Sequence, residues 1–204
     1  MALTNNHYRV IGVCKYFGLS WFQAFVVLAQ AMYESNNFQS NVFAKNNNAF
    51  GMKMLTKRKS PFISGAGTKP PSNEGATPYA KYASLEMSVA DVIHRHTYFK
   101  INWSSIASTN DFVSWLASTG YFGYTPAASA VNIYKAGMQA RYNQITTSGT
   151  DYNKVPEIKV EAKTTAMQTA IDWLKKKWYV PLAAGLLILY WINPFKKSKR
   201  KGGY

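Results

Sequence analysis

A chain of 204 residues suits one medium domain with appended segments and is too short for two full domains. Lys and Arg number 24 against 9 Asp and Glu, a net charge of +15 that points to a polyanionic partner: nucleic acid, an anionic membrane or a bacterial wall. Cys14 is the only cysteine, which excludes an intrachain disulfide and a thiolate metal cluster. The scarcity of acids confines carboxylate chemistry to Glu34, Glu74, Glu86, Asp91 and Asp111, and beyond residue 147 to Asp151, Glu157, Glu161 and Asp172.

In chain order, Asn5 or Asn6 is placed to cap a helix that runs to Phe17 and stops at Gly18. Cys14 falls on it as a buried small hydrophobe. Ser20 and Gln23 form a Ser-x-x-Gln capping box that opens a second helix. This helix is apolar at Trp21, Phe25, Leu28, Ala29 and Met32 and ends near Glu34. The run Phe25 to Ala31 ends in Ala-x-Ala but is read as helix and not as a secretion signal, because it is short and the region before it is long and itself helical.

Four prolines and three glycines between Pro61 and Pro78 exclude a long helix and predict a hairpin or irregular lobe, with Tyr79 to Tyr82 returning as a strand. Ser84 or Ser88 starts a helix through Val89, Val92, Ile93 and His96. The spacing of His94 and His96 does not share a helix face, so no helical zinc pair is expected. Asn110 caps Asp111 to Ser118, closed by Gly120. Thr125 as cap with Pro126 behind it opens a last helix to about Tyr142. The fold class is mainly α, with a small β-lobe.

Residues 147–163 read as a polar linker with Gly149, Pro156 and alternating charge. Residues 164–195 hold an amphipathic lead-in and an apolar run. Trp178 to Phe195 carries no charged side chain, is bracketed by Trp178-Tyr179 and Tyr190-Trp191, and is flanked by Lys175 to Lys177. It predicts a single membrane helix, separate from a catalytic domain at 1–146. The tail 196–204 carries Lys196, Lys197, Lys199, Arg200 and Lys201 and suits anionic lipid or nucleic acid.

The chemistry concentrates at Glu34. A carboxylate at a helix C-terminus among apolar neighbours is pushed toward its protonated form. A protonated carboxylic acid is what glycosidic cleavage requires, because the leaving oxygen must receive a proton. Glu34-Ser35, then Phe38 and Ser40, then Asn47-Asn48-x-Phe50-Gly51-Met52-Lys53 closely resembles the glucosaminidase family of peptidoglycan hydrolases, glycoside hydrolase family 73. Tyr79 to Ser84 and Leu116 to Tyr121, with Thr125-Pro126, extend the resemblance over roughly residues 20 to 145.

The resemblance implies a lysozyme-like fold, Glu34 as general acid and Tyr121 as the active-site tyrosine. Ser35, Asn47, Asn48, Phe50, Lys53 and Tyr82 would line or shape the substrate cleft. Glu74, the lobe's one acid, is the positional candidate for activating water, with the substrate's own N-acetyl group as the other route. The late motif lacks the family's Asp before Pro126. No metal or organic cofactor is required. Basic Lys53, Lys57, Arg58 and Lys59 suit an anionic wall.

The readings are an endo-β-N-acetylglucosaminidase, a lytic transglycosylase or, from another class, a non-catalytic membrane-tethered wall-binding or virion protein. A virion membrane or a host inner membrane is the expected location, with a membrane-containing bacteriophage as the expected context.

Overall fold

The structure is a computed structural model and describes residues 2–54, 59–72, 75–122 and 127–177. Its elements are α1 (Asn5–Tyr16), α2 (Trp21–Glu34), α3 (Asn41–Asn46), β1 (Ile63–Ala66), β2 (Ala80–Tyr82), α4 (Leu85–Tyr98), α5 (Thr109–Ser118) and α6 (Ala128–Thr146), followed by a helix at 165–177, α7.

Helix α2 is the axis of the fold. Every residue from Ala24 to Met32 is buried, so the helix is apolar on all sides and must be surrounded. Helices α1 and α6 pack on it, α5 packs on α6, and α4 packs on α1. The predicted capping box holds: Ser20 Oγ accepts from the Gln23 backbone N–H, and Gln23 Oε1 accepts from the Ser20 N–H. Arg9 on α1 donates from Nε and Nη2 to the two carboxylate oxygens of Glu86 on α4, at 2.7 and 2.9 Å.

Two predicted caps differ from those observed. Helix α1 is capped by Thr4, with Asn5 and Asn6 already inside its first turn. The reason is His7, whose Nδ1 accepts from the Thr4 backbone N–H at 2.9 Å and so does the work usually given to Glu or Gln at that position. Helix α5 is capped by Ser108 and not Asn110, since Ser108 Oγ accepts from the Asp111 N–H and its hydroxyl donates to Asp111 Oδ2. The cap predicted at Thr125 and Pro126 lies outside the described residues.

The lobe is a two-stranded antiparallel hairpin in which Ile63 faces Tyr82 and Ala66 faces Ala80, with a bulge between Ile63 and Gly65. It is tied to the helices at two points. Asn46, the last residue of α3, donates from Nδ2 to Thr68 Oγ1 at 2.8 Å and accepts from the Thr68 N–H. Asp91, fully buried on α4, accepts from the hydroxyls of Ser60 at 2.5 Å and Tyr82 at 2.7 Å.

The segment after residue 146 departs from the predicted free linker. Lys15 Nζ donates to the carbonyls of Tyr152, Asn153 and Val155, and the Ile158 N–H donates to the Gly12 carbonyl. Val155 and Val160 are buried. Gly12 makes the approach possible: a β-carbon there would stand 2.7 Å from both the Pro156 carbonyl and Ile158. The polar composition misleads because the segment docks through its own backbone and a few valines. Helix α7 is docked as well, through buried Met167, Ala170, Ile171 and Leu174, with Lys175 Nζ 3.9 Å from the centre of the Tyr16 ring. Among the described residues no helix is long and apolar enough to cross a membrane. The apolar run 178–195 and the tail 196–204 lie outside those residues.

Candidate active site

The chain immediately after Glu34 explains why Ser and Asn follow it. Ser35 caps the end of α2: its hydroxyl donates to the Ala31 carbonyl and accepts from the Phe38 N–H. Asn36, Asn37 and Phe38 then take left-handed backbone conformations, with φ of 49, 55 and 64°. Asn tolerates this region, whereas Phe rarely does. Phe38 is held there by burial and by edge contacts with His7 and Phe43. This tight reversal ends α2 sharply, leaving Glu34 at the rim of the core.

The second turn of the motif comes back beneath Glu34. Asn47 is left-handed and donates from Nδ2 to the Tyr82 carbonyl. Asn48 is buried. Its Nδ2 donates to the Met52 and Ala80 carbonyls, and its Oδ1 accepts from the Phe50 and Met52 N–H groups. One amide thus closes the turn and fixes it to β2. Gly51, at φ +59°, lies where a β-carbon would stand 3.3 Å from Glu34 Oε2.

Glu34 itself is gripped on one oxygen. Tyr134 donates to Oε1 at 2.7 Å and Tyr121 donates to the same atom at 2.8 Å. The Tyr121 hydroxyl is also 3.0 Å from the Phe50 carbonyl, so its single proton is shared between two acceptors. Among the described residues nothing hydrogen-bonds Oε2, the oxygen that faces Gly51. With both acceptor directions of Oε1 taken, a proton bound by the Glu34 carboxyl group sits on Oε2.

Burial raises the Glu34 pKa above the ordinary carboxylate value, and the hydrogen bonds from Tyr134 and Tyr121 only partly oppose it. Burial, with the Glu34 charge beside them, pushes both tyrosines well above their usual range and keeps them as donors. Aromatic rings frame the group. Tyr33 meets Tyr134 at 4.6 Å, Phe122 meets it at 4.8 Å, and the Arg95 guanidinium lies 4.8 Å from the centre of the Tyr121 ring. Gln30, fully buried one turn before Glu34, has its side-chain amide beside the Tyr121 hydroxyl.

The structure therefore brings together Glu34 and Tyr121, as predicted, with Gly51 of the quoted motif and with Tyr134 and Tyr33, which the sequence did not single out. Tyr134 sits on α6 outside any motif, and its pairing with Glu34 spans a hundred residues. Several predicted substrate contacts turn inward instead. Ser35, Asn48, Phe50 and Tyr82 are buried, holding the turns and the lobe. Asn47 is also spent on the Tyr82 carbonyl. Lys53 remains half-exposed, bridged to Tyr79. Lys59 is exposed. Glu74, Lys57 and Arg58 lie outside the described residues.

The family described as glucosaminidase, mannosyl-glycoprotein endo-beta-N-acetylglucosaminidase, matches residues 22–180. The chain belongs to this family. It is a glycoside hydrolase of the glucosaminidase type, with a mainly helical fold and a small two-stranded lobe. Two solved structures are similar. The catalytic domain of the autolysin Auto from Listeria monocytogenes is 23% identical with a TM-score of 0.45, over 74% of this chain and 91% of that one. A type VI secretion system effector–immunity complex from Pseudomonas protegens contains a chain 19% identical with a TM-score of 0.41, over 67% of this chain and 89% of that one. No curated protein matches the chain.

Proposed function

We propose that this glucosaminidase cuts the glycan strand between N-acetylglucosamine and the following N-acetylmuramic acid, with Glu34 as the general acid. The observation that carries the reading is the double grip of Tyr134 and Tyr121 on Oε1. In this reading the transferable proton sits on Oε2, beside Gly51. In the reaction the Oε2 proton passes to the bridging oxygen as the bond from the anomeric carbon to that oxygen breaks. Positive charge develops on the sugar, and the Glu34 carboxylate left behind is stabilised by the two tyrosine hydroxyls. Water then adds to the anomeric carbon and loses a proton. Glu74 is the candidate to take that proton, with the substrate N-acetyl group as the alternative nucleophile.

Digestion of purified peptidoglycan by the full chain, with the new reducing ends identified by mass spectrometry, tests the bond. N-acetylglucosamine ends support the proposal. Muramic acid ends, or the anhydro sugar left by a lytic transglycosylase, would overturn it. A Glu74→Gln variant with unaltered rate would assign the second step to the N-acetyl group.

The uncharged run Trp178 to Phe195 completes the proposal as a membrane anchor, its aromatic pairs and flanking lysines matching an interfacial belt. Recovery of the full chain in the soluble phase without detergent would overturn the anchor.

A further inference from the structure

A cavity of about 860 Å³ lies away from Glu34. It opens where the start of α2, the end of α4 and the end of α7 converge. Tyr98, Ile101, Trp103 and Trp173 make its apolar wall, and Lys100 and Lys177 stand at its edge. Among the described residues no Asp or Glu lines it.

The same end of the molecule carries most of the large apolar side chains left exposed. Trp21 and Tyr98 are each 52% exposed, and Phe99 and Trp173 are 38 and 37% exposed. Such a cluster on a soluble domain marks a contact surface. Trp and Tyr beside Lys is the composition of a membrane interface, where rings sit at headgroup depth and ammonium groups reach anionic phosphate.

What covers this surface is indicated by the chain itself. Lys177 at the cavity edge is followed directly by the uncharged run 178–195, and Lys175 to Lys177 precede it without a break. Because α7 and residues 147–163 are packed on the core, an anchor leaving from Lys177 would not let the domain swing freely.

We propose that this aromatic, lysine-edged end is a docking face for an anionic phospholipid bilayer, a reading that rests on 178–195 being a membrane anchor. The cavity takes apolar lipid, and Lys100 and Lys177 meet the headgroup phosphates. Ser20 and Gln23 of α2 line the cavity while Glu34 ends the same helix. Its 14 residues separate the cavity end of α2 from Glu34 by roughly 20 Å along the helix. The bilayer thereby sets the direction and height at which the cleft meets the glycan.

The test uses the full chain reconstituted in vesicles of phosphatidylcholine and phosphatidylglycerol. Cys14 is buried, with its thiol pushed far above its usual range, so it stays unlabelled. Single cysteines replace Tyr98, Trp21 or, at the Glu34 end, exposed Gln39, and carry an environment-sensitive fluorophore. Flotation of the chain with the vesicles, loss of most of the signal at 98 and 21 to nitroxide-bearing lipid, and none at 39 is the expected result. Flotation with labels at 98 and 21 unquenched, or with 39 quenched equally, overturns the docking face while the anchor stands. Failure to float overturns the anchor and the docking face together.

Discussion

The ring of Tyr33 fills the space that a side chain on Gly137 would need: a β-carbon there would fall inside the edge of the Tyr33 ring. Tyr33 in turn packs at 70° against Tyr134, whose hydroxyl holds Glu34. Helix α6 therefore sets the Glu34 carboxyl group through one missing side chain and two rings.

Gly137→Ala is expected to lower lysis about tenfold, or about 1.4 kcal/mol of transition-state stabilisation, with little change in melting temperature. Two opposing effects keep stability level. Ala gains up to about 1 kcal/mol over Gly within a helix. Overpacking a rigid site costs about 1–3 kcal/mol, but Tyr33 is only half-buried and has room to swing outward. The displaced ring releases Tyr134, so the loss should appear in kcat. A variant with normal kcat would show that Tyr33 does not position the acid.

Glu34→Gln should reduce lysis by at least about a hundredfold. The amide oxygen still accepts from both tyrosines, so the fold persists. Its stability should also respond differently to pH. The folded-state pKa of Glu34 lies above the unfolded value, so its contribution is fully present below about pH 4.3 and is lost as pH rises through the folded pKa. Melting curves of the variant should lack that alkaline loss. Lysis within a few-fold of the parent would remove Glu34 from the role of acid.

Tyr134→Phe deletes the hydroxyl that donates to Glu34 alone. The ionised carboxylate loses a stabilising donor, so its pKa rises further. The acid must be protonated to act, hence the alkaline limb of the pH–rate profile should move upward by about one unit, the size of one charged hydrogen bond after partial compensation. Tyr121→Phe should shift it less, because that proton is already shared with the Phe50 carbonyl. Equal or opposite shifts in the two profiles would contradict the geometry.

Local chemistry made much of this protein legible before any coordinates. The Ser20–Gln23 box, the stop at Gly18 and the proline-rich lobe each depend on neighbours within a few residues, and each is found. The Glu34 pairing with Tyr121 was legible through a motif resemblance. Tyr134 was not, because a tyrosine facing Glu34 from α6 looks like any helix aromatic until α2 and α6 are packed. Short motifs also blur two roles. Asn48 and Tyr82 belong to the pattern because they hold a turn and the buried Asp91, not because they reach the cleft.

That buried carboxylate gives a stability prediction. Tyr82→Phe leaves Asp91 with one fewer donor in a fully buried place and should cost about 1–3 kcal/mol in denaturant melts. The contact is one of those that tie the lobe to the helices, so proteolytic cleavage between 60 and 80 should accelerate while kcat changes little.

The polar stretch after residue 146 provides the last prediction, since its composition suggests a dispensable linker and its packing says otherwise. Val155, Val160, Ile171 and Leu174 are all buried on the helical core. Each contributes roughly 1.5–3 kcal/mol of burial, so together they rival the 5–15 kcal/mol that holds a whole domain folded. Removing them also uncovers Gly12 and leaves Lys15 without its three carbonyl partners. A chain ending at 146 should melt more than about 10 °C below one ending at 177, given about 2–4 °C per kcal/mol at this size. Both retain Glu34, Tyr121 and Tyr134, so their activities at low temperature should differ far less than their melting points. Equal melting temperatures would mean that residues 147–177 rest on the core without stabilising it.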